Sequence, residues 1–410
     1  MKSDLDRLMT ERELAGFIIV IDHNYSPPLD YVAGRVHITG GLAMKKAGEA
    51  PILFVNPMEI EEAATTGCTV YSANDMGWLD LLKEHEGNRT SAEVVFWKRC
   101  LQKAGIDSGK IGIYGVSDVQ TIIEMVRLLE VAHPEYEFKG EIGRTIFDVA
   151  SITKDDDELA RIKSVAERTS EVLQTTWDFI GIHQEKDGEV VNIADVPLTI
   201  GAVKSFIRRE LLDRGLEDTG MIFAQGRDGG YPHSRGQEDM VLRVGEAIVF
   251  DLFPRELGGG YHHDVTRTWC IGSASDELQE IYNTVQEAFD ISIETFGLNK
   301  PTKLMQEAVL DYFEGKGHPT SRSHPGDTNG YVHSLGHGIG LNIHEHPRIT
   351  HMVDTDVFEV GNVITIEPGL YYPEKGYGVR IEDALYIDDS GELITLTDFH
   401  KEFVLPLSGV

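Results

Sequence analysis

A chain of 410 residues exceeds the size of one ordinary hydrophobic core, so two domains are expected. With 41% hydrophobic and 26% charged residues it reads as globular, and no apolar run approaches the ~20 residues needed to span a bilayer. A formal charge of −31 repels phosphate backbones and anionic lipid, which excludes nucleic acid and membrane surfaces as expected partners. The start, Met1-Lys-Ser-Asp-Leu-Asp-Arg, has no apolar signal region, so a cytoplasmic location is expected. Cys68, Cys100 and Cys270 are odd in number and far apart, as reduced thiols are.

In chain order, β-rich runs at Phe17 to Ile21, Pro51 to Val55 and Lys110 to Tyr114 alternate with helical periods at Met58 to Ala64 and Asp118 to Leu129. This alternation predicts an α/β domain over residues 1–150. It contains neither GxGxxG nor GxxxxGKS, so no nucleotide site is expected there. A second domain, 151–410, is predicted to open with a charged helix capped by Thr153 and carrying Leu159, Ile162 and Val165 on one face. Further helices are predicted at Ile200 to Leu212, Asp276 to Phe296 and Thr302 to Phe313. Strands are predicted at Ala247 to Phe253, Val265 to Ile271, Val363 to Glu367 and Gly378 to Ile387, giving an α+β unit.

Those strands hold misplaced charge. Asp251 and Asp264 flank a turn with Pro254 and Gly258-Gly-Gly260, Glu367 ends an apolar strand, and Glu382 shares a face with Arg380. A carboxylate in an apolar strand is costly unless compensated. Any one of them alone is best explained as a solvated edge residue. Four together balance two divalent cations, and hard oxygen donors with few imidazoles suit manganese first, with cobalt, zinc or iron as alternatives. An imidazole is available from the segment His333 to His346, where four histidines are interleaved with glycine in fourteen residues.

The ordered set Asp251, Asp264-Val-Thr-Arg-Thr, Gly336-His337-Gly-Ile-Gly-Leu, Ile366-Glu367-Pro-Gly and Val379-Arg-Ile-Glu382-Asp resembles the M24-type metallopeptidases. These include aminopeptidase P, prolidase and methionine aminopeptidase, with the pita-bread fold. The resemblance covers the chain from about Ile152 onward, and the preceding domain resembles the creatinase-type N-terminal domain of the proline-directed branch. It implies that Asp251, Asp264, His337, Glu367 and Glu382 hold two divalent metal ions, Asp264 and Glu382 bridging them. His233, His333 and His344 are implied to face substrate and handle protons, and Arg380 to steady a ligand carboxylate or meet the substrate's carboxyl end.

The implied reaction is hydrolysis of an Xaa-Pro bond in a dipeptide or at a peptide N-terminus. A hydroxide between the metals is the implied nucleophile, Glu367 the proton carrier, and a homodimer the implied assembly. The first aspartate departs from the family's usual DxG, reading Asp251-Leu-Phe-Pro with a longer turn behind it; this bears on substrate choice more than on metal binding. Two other readings are open: a non-peptide hydrolase or lyase on the same scaffold, such as a sulfonium propionate lyase, and a pseudoenzyme acting as an interaction module. His262, His263 and His346 have no matched role and are expected to be structural.

Overall fold

A computed structural model describes residues 4–408. The chain divides into two compact units, Met1–Ala150 and Ser151–Val410. In the first, helices α1 (Asp4–Glu11), α2 (Pro27–Ala33), α3 (Ile60–Ala64), α4 (Trp78–Glu84), α5 (Arg89–Lys103), α6 (Val119–Ala132) and α7 (Ile146–Ala150) accompany one sheet. Its strands are β1 (Leu14–Ile21), β2 (Gly41–Lys46), β3 (Ile52–Val55), β4 (Thr69–Ser72), β5 (Gly109–Gly115) and β6 (Tyr136–Lys139), in the order β4-β3-β2-β1-β5-β6. Strand β2 is antiparallel to both neighbours, and the other strands share one direction.

Period-two alternation explains why these strands read as continuous apolar runs. Phe17, Ile19, Leu53 and Val55 belong to one core, whereas Ile18, Leu42, Met44 and Phe54 belong to another. Both faces of the sheet are therefore buried. The helical period at Met58 to Ala64 is realised as a 3₁₀ turn over Pro57–Glu59 followed by α3, because Asn56 caps the turn through Met58 N.

The second unit opens with α8 (Asp156–Gly181), which starts later than Thr153. Lys154 N bonds to Gly361 O, so the chain stays extended through Lys154. Asp155 then closes a capping box, accepting from Glu158 N at 3.0 Å while Glu158 accepts from Asp155 N at 2.9 Å. The following elements are β7 (Gln184–Lys186), β8 (Glu189–Val191), α9 (Ile200–Asp213), β9 (Leu216–Glu217), β10 (Ile222–Gln225), β11 (Ala247–Leu252), β12 (Arg255–Glu256), β13 (Val265–Ile271), α10 (Asp276–Thr295) and α11 (Lys303–Gly315). After these come β14 (Gly336–Gly338), β15 (Glu345–Ile349), β16 (Val363–Ile366), β17 (Gly369–Tyr372), β18 (Tyr377–Arg380), β19 (Asp383–Ile387), β20 (Leu393–Thr395) and β21 (Val404–Leu405).

Two sheets dominate, β10-β11-β13-β21 and β15-β14-β16-β19-β20. One core joins α8 and α9 to the first sheet, and a second joins α10 and α11 to the other. The single strand predicted over Gly378 to Ile387 is in fact two. β18 pairs with β17, Glu382 N turns to bond Thr266 O at 3.0 Å, and β19 then pairs with β16. Among the described residues, no helix is long and apolar enough to cross a membrane.

Arg267 sits at this handover, fully buried, and uses all five of its N–H donors. They reach Thr266 O, Glu382 O, Phe399 O, His400 O and Asp383 Oδ1 at 2.7–3.0 Å. Asp383 is held from its other oxygen by Lys401. Arg267→Met should lower stability by about 3–5 kcal/mol, because it leaves a buried carboxylate and four carbonyls with lost partners. Arg267→Lys should not restore it, since three donors cannot replace a five-donor fork. Urea unfolding checks both, and an unchanged midpoint in either would remove Arg267 from this role.

Candidate metal centre

Asp251 lies on β11 opposite Thr266 of β13, and Asp264 immediately precedes β13. Glu367 follows β16, its N–H bonded to Leu335 O at 2.8 Å, and Glu382 occupies the handover between β18 and β19. His337 sits mid-way in β14, opposite Arg348. The glycines around it serve close packing: a Cβ on Gly336 would stand 2.0 Å from Thr365 O, and one on Gly338 2.1 Å from His346 O.

Asp264, His337 and Glu382 each place one donor atom within 4.8 Å of the others. His337 Nε2 is 3.8 Å from Asp264 Oδ2 and 3.6 Å from Glu367 Oε1. Its Nδ1 is 3.0 Å from Gly338 O, an acceptor, so the ring proton resides on Nδ1 and Nε2 presents a lone pair to the carboxylates. Burial, with His344 nearby, pushes the His337 pKa down to about 3, which keeps that lone pair available.

The acids respond in the opposite direction. Burial and then the charges of Glu382, Asp251 and Glu367 drive the Asp264 carboxyl well above the usual range, and Glu382 rises likewise from burial, Glu367 and Asp251. Glu367 is pushed up by burial to about 8, although Arg380 opposes the shift. Asp251 is raised by burial against the pull of Arg380. Four crowded carboxylates are thus under-compensated by the protein's own cations.

The donor set fits divalent metal. Asp251 Oδ1 and Glu382 Oε1 are buried without a hydrogen-bond partner. Their other oxygens are fixed: Asp251 Oδ2 by Arg380 Nη2 at 2.6 Å, and Glu382 Oε2 by the Thr266 hydroxyl at 2.7 Å. One oxygen of each is therefore oriented by protein while the other is left for a cation, the usual arrangement of oriented ligand carboxylates.

All nine residues singled out in the sequence line one cavity of about 370 Å³: Asp251, Asp264, His337, Glu367, Glu382, His233, His333, His344 and Arg380. His233 and His344 lie on its exposed side, the His344 ring edge-on to His337 at 4.5 Å. Loop placement of His344 depends on Glu345, which accepts from Asn342 N at 2.9 Å and from the buried Lys154 at 2.7 Å. His333 is lowered to about 3 by burial and then Arg380; it bonds Tyr371 OH at 2.9 Å, which in turn accepts from Arg380 Nη1 at 2.8 Å. The three histidines expected to be structural are tied elsewhere: His262 to Gly340 O, His263 to Thr397 and His346 to Asp356.

Sequence reasoning missed Tyr371, Thr266, Phe253 and Arg348. Arg380 Nε donates to Thr266 Oγ1 at 3.0 Å, so that hydroxyl joins the guanidinium to Glu382. The Thr266 signal was available in register, since strand alternation puts it opposite Asp251. Phe253 and Arg348 line the cavity directly. The longer turn after Asp251 is absorbed by β12, which pairs with β9, yet Phe253 at its root reaches the cavity wall.

Residues 160–389 match the model of metallopeptidase family M24. The chain belongs to this family. As an M24 protein it is 38% identical over 170 residues to the Xaa-Pro dipeptidase of Pyrococcus furiosus, a stretch covering 42% of this chain and 45% of that protein. The M24 chain also superposes on the Xaa-Pro dipeptidase from Bacillus anthracis with a TM-score of 0.75 at 23% identity, covering 98% of each. For the X-Pro aminopeptidase from Thermotoga maritima the TM-score is 0.74 at 22% identity, covering 96% of this chain and 99% of that one. At such identities the superpositions speak for the fold, an α/β N-terminal domain followed by the pita-bread catalytic domain.

Proposed function

We propose that this M24 protein hydrolyses the Xaa-Pro bond, dipeptides foremost, and that Asp251, Asp264, His337, Glu367 and Glu382 would hold two divalent metals. The observation that carries the reading is one cavity gathering four carboxylates and an imidazole lone pair, with Asp251 Oδ1 and Glu382 Oε1 buried and unpartnered. Manganese is the preferred metal on donor type. Bound metal supplies an acidified water that can attack a carbonyl near neutral pH.

The chain's own groups do the rest. His233 and His344, on the open side of the cavity, can donate to the scissile carbonyl oxygen as it gains charge. Glu367 carries the proton to the leaving nitrogen, which must be protonated to depart as a neutral amine rather than as an amide anion. Arg380, bonded to Asp251, Thr266 and Tyr371, serves to orient the ligands. That leaves Arg348 for substrate: it lines the cavity and its guanidinium donates to the His344 carbonyl at 3.4 Å, so a dipeptide carboxylate can reach it. The same reading takes residues 1–150 as a creatinase-type domain and the protein as a cytoplasmic homodimer.

Steady-state hydrolysis of Gly-Pro, Gly-Pro-Ala and Gly-Ala by the manganese-loaded protein tests this. Gly-Pro should be cleaved fastest and Gly-Ala slowest, and Arg348→Ala should raise KM for Gly-Pro by about tenfold with kcat little changed. Metal binding without Xaa-Pro cleavage would transfer the site to non-peptide chemistry, and preferred cleavage of Gly-Pro-Ala would make it an aminopeptidase.

A further inference from the structure

The first unit contains a second cavity, of about 380 Å³, within the size range of small-molecule sites. It opens at the edge of the sheet where β1, β3, β4 and β5 end and the antiparallel β2 begins, and α5 and α6 wall it. From β4 the chain crosses back to set β5 on the far side of β1, so the cavity lies at the strand ends beside a reversal of strand order. Open α/β sheets commonly take ligands at such places.

Its lining combines an aromatic wall with two opposite charges that do not pair, an exposed Arg89 at the rim and a half-buried Glu93. Trp78, Phe96 and Trp97 face it, Trp78 and Phe96 packed edge to face at 5.5 Å. Arg89 and Glu93, one turn apart on α5, face it as well. Opposite charges at this spacing ordinarily pair along a helix. Among the described residues, however, neither side chain makes a hydrogen bond or ion pair with the other or with any neighbour.

We propose that this cavity binds a free α-amino acid, its ammonium on Glu93, its carboxylate on Arg89 and its apolar side chain among Trp78, Phe96 and Trp97. A zwitterion meets both charges at once and brings no net charge into a half-buried site. The indole faces favour the ammonium and the aliphatic body alike. Burial raises the Glu93 carboxyl above its ordinary range, with Arg89 opposing. The inference does not rest on the reading of the metal centre.

Trp78 and Trp97 are two of the four tryptophans, and the other two, Trp177 and Trp269, are packed in the core of the second unit; fluorescence therefore reports on the cavity. The full chain is titrated with L-leucine, isopentylamine and N-acetyl-L-leucine, with calorimetry in parallel. L-leucine should give a saturable response, and the two analogues, each lacking one charge, should bind at least about tenfold more weakly. Glu93→Gln and Arg89→Ala should weaken leucine by a similar factor, whereas His337→Ala should leave it unchanged. No saturable response to leucine, equal binding of isopentylamine, full binding by Glu93→Gln, or loss in His337→Ala would each overturn the proposal.

Discussion

Asp264→Asn and His337→Ala are each expected to lower Xaa-Pro turnover by about three orders of magnitude or more, with a matching fall in bound metal measured by elemental analysis. Asp264 Oδ2 and His337 Nε2 stand 3.8 Å apart in a set whose members lie within reach of one cation. Removing a carboxylate charge from this set, or its one imidazole, leaves too few donors to hold the ions in place. Asn matches Asp in shape, and although His337→Ala deletes a buried ring, the backbone at 337 remains pinned between β15 and β16. Near-normal turnover in either variant would sink the ligand assignment.

The second large effect concerns metal and pH together. Glu367 is pushed up to about 8, and Asp264 and Glu382 are raised as well, so in metal-free protein these carboxyls keep protons that the unfolded chain has released. A raised folded-state value stabilises below the ordinary carboxyl range, and that stabilisation is lost as pH climbs through the folded value. His263, His333 and His337, each lowered to about 3 by burial, act with the other sign, but mainly below about 6.5, where the unfolded imidazole takes up a proton. Above about pH 7, where unfolded imidazoles have mostly released their protons, the carboxyl trend outweighs that of the histidines up to about 8.

Chelator-treated protein should melt at progressively lower temperature across that window. Saturating manganese should reverse the trend, because the cation binds the deprotonated ligands. At a thousandfold excess over Kd the gain is about 4 kcal/mol, on the order of 10 °C for a unit of this size. Scanning fluorimetry at several pH values, with and without metal, measures it. A metal-induced shift that shrinks between about pH 7 and 8 would contradict the pairing of these acids with cations.

How far these features can be read from sequence depends on the range over which each is determined. The strands holding Asp251 and Asp264 are legible because apolar alternation persists on both sides of each acid, and the five candidate ligands stand out through their local motifs. The break at Ile381 and Glu382 is not legible: it arises because Thr266, more than a hundred positions earlier, offers its carbonyl to the Glu382 amide. Tyr371 is hidden because only the fold shows that its hydroxyl lies between Arg380 of the paired strand and His333 of a separate loop. The helix starts two residues past the cap that sequence predicts, because Thr153 and Asp155 are both competent caps and the bond from Lys154 N to Gly361 O decides between them. The cavity beside Glu93 left no motif, because its walls come from several strand ends and two helices.

The handover between β18 and β19 also determines which changes the chain can accept. The solvent-facing sides of the helices that cover the two sheets can diverge without moving the candidate ligands, which are fixed by backbone pairing at the seam. A single residue inserted between Arg380 and Glu382 is another matter. It would reverse the side-chain alternation at that point, turn the guanidinium and the carboxylate to opposite faces, and part Asp251 from its clamp while leaving every side chain of the site present. Relatives should thus vary in length at the tip between β11 and β13 and keep the spacing of Arg380 and Glu382 constant.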